Sequence, residues 1–357
     1  MNFKRVSLVN YRNIRRARID LDSRRIFFHG ANGQGKTNLL EALGMVTALR
    51  AFRTHENRVM IGPDGEFGEA RFDIECERSG ESIVDLRIKK SGKEVKVDSE
   101  PVKRLSDFAG RYPTVVLSSN DLQLTRGSPG GRRRFIDTFI CGIDRGYFAA
   151  LQKYQKLLQE RNALLRSEEN EGVVTAFEKQ MDIPAVTIGR ARKDIIGELL
   201  KIASPIYKAL SSDSEEMGIE YTTSAAVQNE GEFLEILEKN RKRDRYLQST
   251  SQGPHRDDYA LFVNRLPASD YASEGQQRSI TLALSLAIIQ YWRDNMGLLP
   301  VVLADDAFAE LDSHRRERFW ELLSDDMQLV ATGTQLPEIC RGDDWQTVVV
   351  ADGVFSG

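Results

Sequence analysis

The sequence predicts an α/β fold in which a mainly helical lobe is inserted into a strand-rich one. Three observations lead to it. A glycine-rich turn, Gly30-Ala31-Asn32-Gly33-Gln34-Gly35-Lys36-Thr37, stands between an apolar run and a helical pattern. Far along the chain a second apolar run, Val301-Val302-Leu303-Ala304, is closed by Asp305 and Asp306. Between them, from about residue 131 to 248, apolar residues recur at helical spacing. If the glycine turn and the paired carboxylates serve one site, the chain ends fold together and the middle is an insertion. The boundaries read as 1–122 and 253–357 for the discontinuous first lobe and 123–252 for the helical one.

The elements follow in order. Val6-Ser7-Leu8-Val9 and Arg25-Ile26-Phe27-Phe28 read as strands flanking a polar turn. Thr37 to Thr47 reads as a helix with Leu39, Leu40, Leu43 and Val46 on one face. Residues 70–100 alternate apolar and charged, which predicts a small antiparallel sheet ending in the turn Lys90-Ser91-Gly92-Lys93. Pro113-Thr114-Val115-Val116-Leu117 reads as a buried strand. In the helical stretch, Phe148, Leu151, Tyr154, Leu158 and Leu165 form one periodic set and Ile195, Leu199, Ile202 and Ile206 another. The stretch is too short and irregular for a long coiled coil, which leaves a compact helical insertion. Strand signals return at Tyr259-Ala260-Leu261-Phe262-Val263, then a long apolar helix (Leu282 to Tyr291) and two more strands.

Composition narrows the function classes. Of 357 residues, 41% are hydrophobic and 29% charged, as in an ordinary globular protein. No apolar run is long enough to cross a bilayer, and Met1-Asn2-Phe3-Lys4-Arg5 leads into no secretory core, so a cytoplasmic protein without a membrane partner is expected. Cys76, Cys141 and Cys340 are far apart and fit neither a disulfide framework nor a zinc site. The net charge of −3 does not by itself suggest a polyanion partner. Its distribution is uneven: residues 1–58 carry 12 Lys/Arg against 4 Asp/Glu, and residues 294–357 carry 4 against 13. That asymmetry suits either a basic face for polyanions or plain solvated charge.

The glycine turn has the residues of a phosphate-binding loop. Glycines let backbone N–H groups turn inward around phosphate oxygens, and the following helix adds its N-terminal dipole. Lys36 is placed to reach the β- and γ-phosphates of ATP and Thr37 to ligate Mg²⁺. Asp305, at the end of a buried strand, is the expected second Mg²⁺ ligand, and Asp306 the group that polarises the attacking water. Ser273-Glu274-Gly275-Gln276-Gln277 resembles the signature loop of ABC-type ATPases, in which Ser273, Gly275 and Gln276 would act on the nucleotide of a second subunit. Ser273 and Gln276 equally fit a helix-capping box, and the two roles are compatible. Glu310-Leu311-Asp312 resembles the D-loop of such enzymes. The predicted fold is therefore an ABC-type P-loop ATPase head with an inserted mainly helical second lobe.

These residues together resemble the RecF family, bacterial recombination-mediator ATPases related to the SMC proteins. The likeness covers most of the chain: Asn10-Tyr11-Arg12-Asn13-Ile14, Gly30–Thr37, Ala51-Phe52-Arg53, and Gly127-Ser128-Pro129 with Arg132-Arg133-Arg134-Phe135-Ile136-Asp137. It continues through Gln159-Glu160-Arg161-Asn162, Gly253-Pro254-His255-Arg256-Asp257-Asp258, Gly275-Gln276-Gln277-Arg278 and Asp305 to Asp312. Three departures stand out. Ser119-Asn120-Asp121-Leu122 replaces a usual Pro-Glu-Asp-Leu, Glu274 sits where a neutral or basic residue is common, and Thr332-Gly333-Thr334 occupies the place of a switch histidine. The resemblance implies a weak, DNA-stimulated ATPase that dimerises with ATP and Mg²⁺ and binds duplex DNA beside single-strand gaps. It also implies RecR and RecO as partners, with RecA loaded onto gapped DNA as the indirect result. Asp306 stands where most ABC-type ATPases have Glu, so slow hydrolysis is expected.

Several basic residues stay open to two roles. Arg12, Arg15, Arg16 and Arg18 either contact DNA phosphates or form a basic strand edge that blocks aggregation. Arg12, Asn13 and Arg53 are candidate contacts to nucleotide or DNA. Arg132–Arg134 either face DNA or line a helix surface. Arg241, Lys242, Arg243 and Arg245 read as solvated charge. His255 and Arg256 either hold a buried hydrogen-bond network or touch nucleotide or an interface. Rival functions are a transport ATPase, a regulatory ATPase that does not bind DNA, and a site that binds ATP without turnover. The helical insertion and the Gly253–Asp258 segment argue against the first.

Overall fold

The computed structural model of the chain describes residues 1–54, 56–118, 122–167, 171–211, 215–307, 313–342 and 344–356. The chain opens with a hairpin of β1 (Asn2–Tyr11) and β2 (Ile14–Asp20). β2 lies where a polar turn was expected. It is an edge strand whose arginines face out and whose Ile14 and Ile19 face in, so the apolar signal is thin. β3 (Arg25–His29) runs through the glycine turn into α1 (Lys36–Ala48), followed by the short α2 (Asn57–Met60). β4 (Phe67–Cys76), β5 (Gly80–Lys89), β6 (Gly92–Val97) and β7 (Glu100–Pro101) are the expected antiparallel strands. They join the hairpin in one six-stranded sheet, β2-β1-β4-β5-β6-β7.

After α3 (Leu105–Phe108) comes β8 (Thr114–Ser118), then the helices α4 (Leu122–Arg126), α5 (Pro129–Ile143), α6 (Arg145–Arg166) and α7 (Glu171–Leu210). α7 has 40 residues and keeps Pro184 and Pro205 inside it. At 1.5 Å per residue it spans roughly 60 Å, longer than a compact insertion suggests. β9 (Met217–Thr222) and α8 (Glu232–Leu247) precede β10 (Asp258–Val263), β11 (Leu266–Pro267) and α9 (Ala268–Tyr271). β9 pairs with β10, Met217 opposite Val263, so a small sheet straddles the expected boundary at 252/253.

α10 (Glu274–Met296) is the long apolar helix. The last elements are β12 (Val301–Asp305), α11 (Ser313–Leu322), β13 (Leu329–Gly333), β14 (Trp345–Ala351) and β15 (Val354–Ser356), four strands where two were expected. The second six-stranded sheet has the order β15-β14-β3-β13-β12-β8 and is parallel from β14 to β8. Every residue of β12 and β13 is buried, as strands covered on both faces require. α1 packs on β8, β12 and β13, while Tyr11 of the other sheet reaches its Glu41 and Met45. Eleven of its thirteen residues are buried, Leu39 to Ala48 without a break, so its apolar residues are not confined to one face. Among the described residues no helix is long and apolar enough to cross a membrane.

Candidate active site

The glycine turn closes where three strands converge. Gly30 N donates to Gly333 O at 3.3 Å, and a Cβ on Gly30 would sit 2.1 Å from Val350 O. Only glycine lets β14 pass so close. Gly35 has φ 113° and caps α1, a conformation that side chains disfavour. Lys36 is 4% exposed and its Nζ donates to the carbonyls of Gly30 (2.6 Å) and Ala31 (2.9 Å). Gln34 ties the loop to the β14–β15 turn: its side chain accepts from Asp352 N at 2.6 Å and its carbonyl from Gly353 N at 2.9 Å.

Thr37 Oγ1 donates to Asp305 Oδ1 at 2.9 Å, across 268 residues of chain. Thr332 Oγ1 donates to the same oxygen at 2.9 Å and accepts from Asp306 N at 3.1 Å. Burial lifts the Asp305 carboxyl above the usual range; the two hydroxyls oppose that, Asp306 adds to it and Arg53 opposes it. Asp306 adopts φ 52° and lines a cavity of about 210 Å³ with the loop residues Asn32 to Asn38 and Arg53. Thr37 and Asp305 fit Mg²⁺: one hydroxyl and one carboxylate, both hard oxygen donors, beside the glycine turn. Among the described residues no cluster of three or more His, Cys, Asp or Glu side chains could cage a metal. An ion that keeps several waters and takes its other ligands from phosphate needs no such cage.

A row of amides closes the loop's outer side. Asn13 Nδ2 donates to Gly33 O at 3.1 Å, Asn38 Nδ2 donates to Asn13 Oδ1 at 2.7 Å, and Arg53 donates to Asn38 Oδ1 at 2.9 Å. Asn13 and Arg53 thus stand at the loop. Arg12 does not present itself outward: it forms a bidentate pair with fully buried Glu41, one bond at 2.8 Å, and is 13% exposed. Glu41 also accepts from Tyr11 Oη at 3.1 Å.

The signature residues lie elsewhere. Ser273 caps α10 in a complete capping box, accepting from Gln276 N at 3.3 Å while Gln276 Oε1 accepts from Ser273 N at 2.7 Å. Gln276 Nε2 also donates to Glu215 at 2.7 Å. None of Ser273, Gly275 and Gln276 lines the loop cavity of its own chain. Glu310, Asp312 and Asn120 lie outside the described residues.

The arginines of α5 turn inward rather than toward a solvated surface. Arg132 holds both oxygens of Asp258 (2.7 and 2.8 Å), Arg133 donates to Asp257 O, and Arg134 donates to the carbonyls of Phe52 (3.4 Å) and Arg53 (3.1 Å). Arg241 is likewise not solvated charge; it pairs with buried Glu178. Half-buried His255 has a hydrogen-bonding role, set between Tyr154 Oη (2.8 Å) and Thr250 O (3.0 Å). Sequence reasoning missed Glu41, Asn38 and the bridging role of Thr332. A lone charge at mid-helix among Leu39, Leu40 and Ala42 was the one visible hint of a buried ion pair.

Residues 2–349 match the family model "RecF/RecN/SMC N terminal domain". The DNA replication and repair protein RecF of Exiguobacterium sp. is 33% identical over 352 residues, 96% of this chain and 94% of that protein. RecF of Leptospira interrogans serovar Lai is 35% identical over 342 residues, 95% and 93% of the two chains. Among solved structures, the recombination mediator protein RecF-ATP of the RecFOR pathway superposes with a TM-score of 0.86 at 27% identity, over 99% of this chain and 96% of that one. A Pyrococcus furiosus Smc head, at 16% identity and a TM-score of 0.53, shares the fold. Matched nearly end to end, with the glycine turn and the paired carboxylates brought together, the chain belongs to the RecF family and has the RecF/SMC ATPase-head fold.

Proposed function

We propose that this chain is an ATP-driven, DNA-binding switch of recombinational gap repair and replication-fork recovery, working in the cytoplasm. The observation that carries the proposal is the 2.9 Å contact between Thr37 and Asp305, which joins the glycine turn to the paired carboxylates across 268 residues. The working unit is a discontinuous ATPase lobe, residues 1–122 and 253–357, with residues 123–252 as its helical insertion. Gly30–Thr37 bind the phosphates of ATP, with Lys36 moving from the carbonyls of Gly30 and Ala31 to the phosphate oxygens. Thr37 and Asp305 hold Mg²⁺, which when bound draws charge from those oxygens. Asp306 orients the attacking water, and its short side chain keeps hydrolysis slow.

The signature acts in trans. Ser273, Gly275 and Gln276 of one protomer meet the γ-phosphate held by its partner, at the N-terminus of a long helix where backbone N–H groups and dipole favour an anion. That none of the three lines the loop cavity of its own chain supports this. Glu310 and Asp312 serve as the D-loop at the same seam. Closure forms a groove for duplex DNA beside a single-strand gap; RecR and RecO are the partners, and RecA loading is the indirect result. ATP favours closure because it binds the dimer more tightly than the monomer.

Sedimentation velocity with Mg²⁺ and ATP tests this, on wild type and Ser273→Arg, with and without a gapped duplex. The expected result is an ATP-dependent dimer that binds the duplex, both properties lost in the variant. A protein that stays monomeric with ATP and DNA overturns the shared site.

A further inference from the structure

The amide row beside the glycine turn has only one possible direction, because the group at each end has no choice of role. Gly33 O can only accept, so Asn13 must offer it Nδ2, at 3.1 Å. That turns Asn13 Oδ1 toward Asn38, whose Nδ2 donates to it at 2.7 Å. Asn38 Oδ1 is then the atom that faces Arg53, whose guanidinium can only donate, at 2.9 Å from Nη1. Flipping either amide, or both, sets oxygen against oxygen or N–H against N–H at one end of the row.

Packing holds the row in place. A Cβ on Gly35 would sit 3.2 Å from Asn13 Oδ1, and one on Gly353 would sit 2.9 Å from Asn13 O. Asn13 therefore lies directly on the glycine turn and against the β14–β15 turn. Asn38 follows Thr37 in the first turn of α1, so its backbone is set by the helix. At the far end, Arg134 donates to Arg53 O at 3.1 Å and pins the Arg53 backbone. The Arg53 side chain has less support: among the described residues, Asn38 Oδ1 is the one hydrogen-bond acceptor of its guanidinium. Arg53 shares the loop cavity with Asp306 and residues Asn32 to Asn38, and a cation there suits phosphate oxygens.

We propose that Asn38 is a positioning residue of the nucleotide site: its side-chain carbonyl aims the Arg53 guanidinium at the phosphates in the loop cavity, and Asn13 fixes which way that carbonyl points. This role rests on the reading of the loop cavity as an ATP site. N-methylanthraniloyl-ATP with Mg²⁺, titrated into the full chain and followed by its fluorescence, tests it in a double-mutant cycle. Arg53→Ala should weaken binding about tenfold and Asn38→Ala about fivefold. The double variant should lose about tenfold, and not the roughly fiftyfold of independent losses. A merely structural Asn38 would cost the same with or without Arg53. The bond between the two side chains is exposed, so melting temperatures should stay at the wild-type value. Lys36→Ala serves as the control for the ATP reading. If Lys36→Ala abolishes binding while Asn38→Ala binds like wild type, or while the two losses add, the positioning role alone is overturned. If the wild type does not bind the probe, or Lys36→Ala leaves binding intact, the ATP reading falls and this role with it.

Discussion

Acid should loosen the segment Gly253–Asp258 through a single histidine. Thr250 O can only accept, so His255 Nε2 carries the ring proton and Tyr154 Oη donates to Nδ1. A second proton would place an N–H at Nδ1 against that hydroxyl. Burial lowers the imidazole to about 4; the bond to Thr250 opposes this, Arg256 and Arg133 add to it and Asp257 opposes it. An unfolded histidine titrates near 6.5. The folded form binds the proton less readily, so this contribution to stability is complete above about pH 6.5 and is lost as pH falls toward 4. With those two values, up to about 2 kcal/mol disappears between about pH 8 and 5. Urea unfolding of wild type and His255→Gln across that range isolates the term, because carboxylates and the other histidines cancel in the difference. The wild type's advantage should shrink by about 2 kcal/mol on acidification. A difference that stays flat with pH would refute the buried, neutral histidine.

Other predictions address the site and the lobe that carries it. Gly30→Ala should destabilise the fold by about 3 kcal/mol or more in thermal melts, since its Cβ meets Val350 O at 2.1 Å. Thr332→Val removes the hydroxyl shared by Asp305 and the Asp306 amide; about 1–2 kcal/mol of stability should go, with a fall in phosphate release larger than the fall in ATP affinity. Asp306→Asn should abolish phosphate release while nucleotide binding persists, and turnover at the wild-type rate would remove its catalytic role. Arg161→Met leaves Glu178 and Asp244 buried beside an apolar side chain, and urea unfolding should register a loss of about 3–5 kcal/mol.

Local chemistry was legible where residue type alone dictates backbone shape. The glycines before Lys36 announced a tight loop, and Val301 to Ala304 announced a covered strand. The carboxylate pair made sense only beside that loop, and the structure puts Thr37 on Asp305. What escaped were interactions whose partners lie far apart in sequence. Nothing in Arg12 marks Glu41 as its partner, because an exposed arginine and a paired one are spelled alike. Arg132 to Arg134 read as facing either DNA or a helix surface for the same reason, yet Arg132 and Arg133 reach the adjacent Asp258 and Asp257, and Arg134 the carbonyl of Arg53. β2 was missed because an edge strand needs few apolar residues. The boundary at 252/253 took no account of the pairing of β9 with β10.

The place of β3 has a consequence for how the chain is made. Both its neighbours lie some 300 residues further along the chain: Arg25 lies opposite Leu329 on one side and Trp345 on the other. A ribosome adding about 5–20 residues per second needs some 15–60 s to reach them. Throughout that time Ile26, Phe27 and Phe28, buried in the finished protein, have no sheet to enter. The nascent chain therefore carries an open-edged apolar strand until β13 and β14 have been made, which makes it a natural client for chaperones. A stop codon anywhere before β13 would leave that strand permanently unpaired and the phosphate loop unformed.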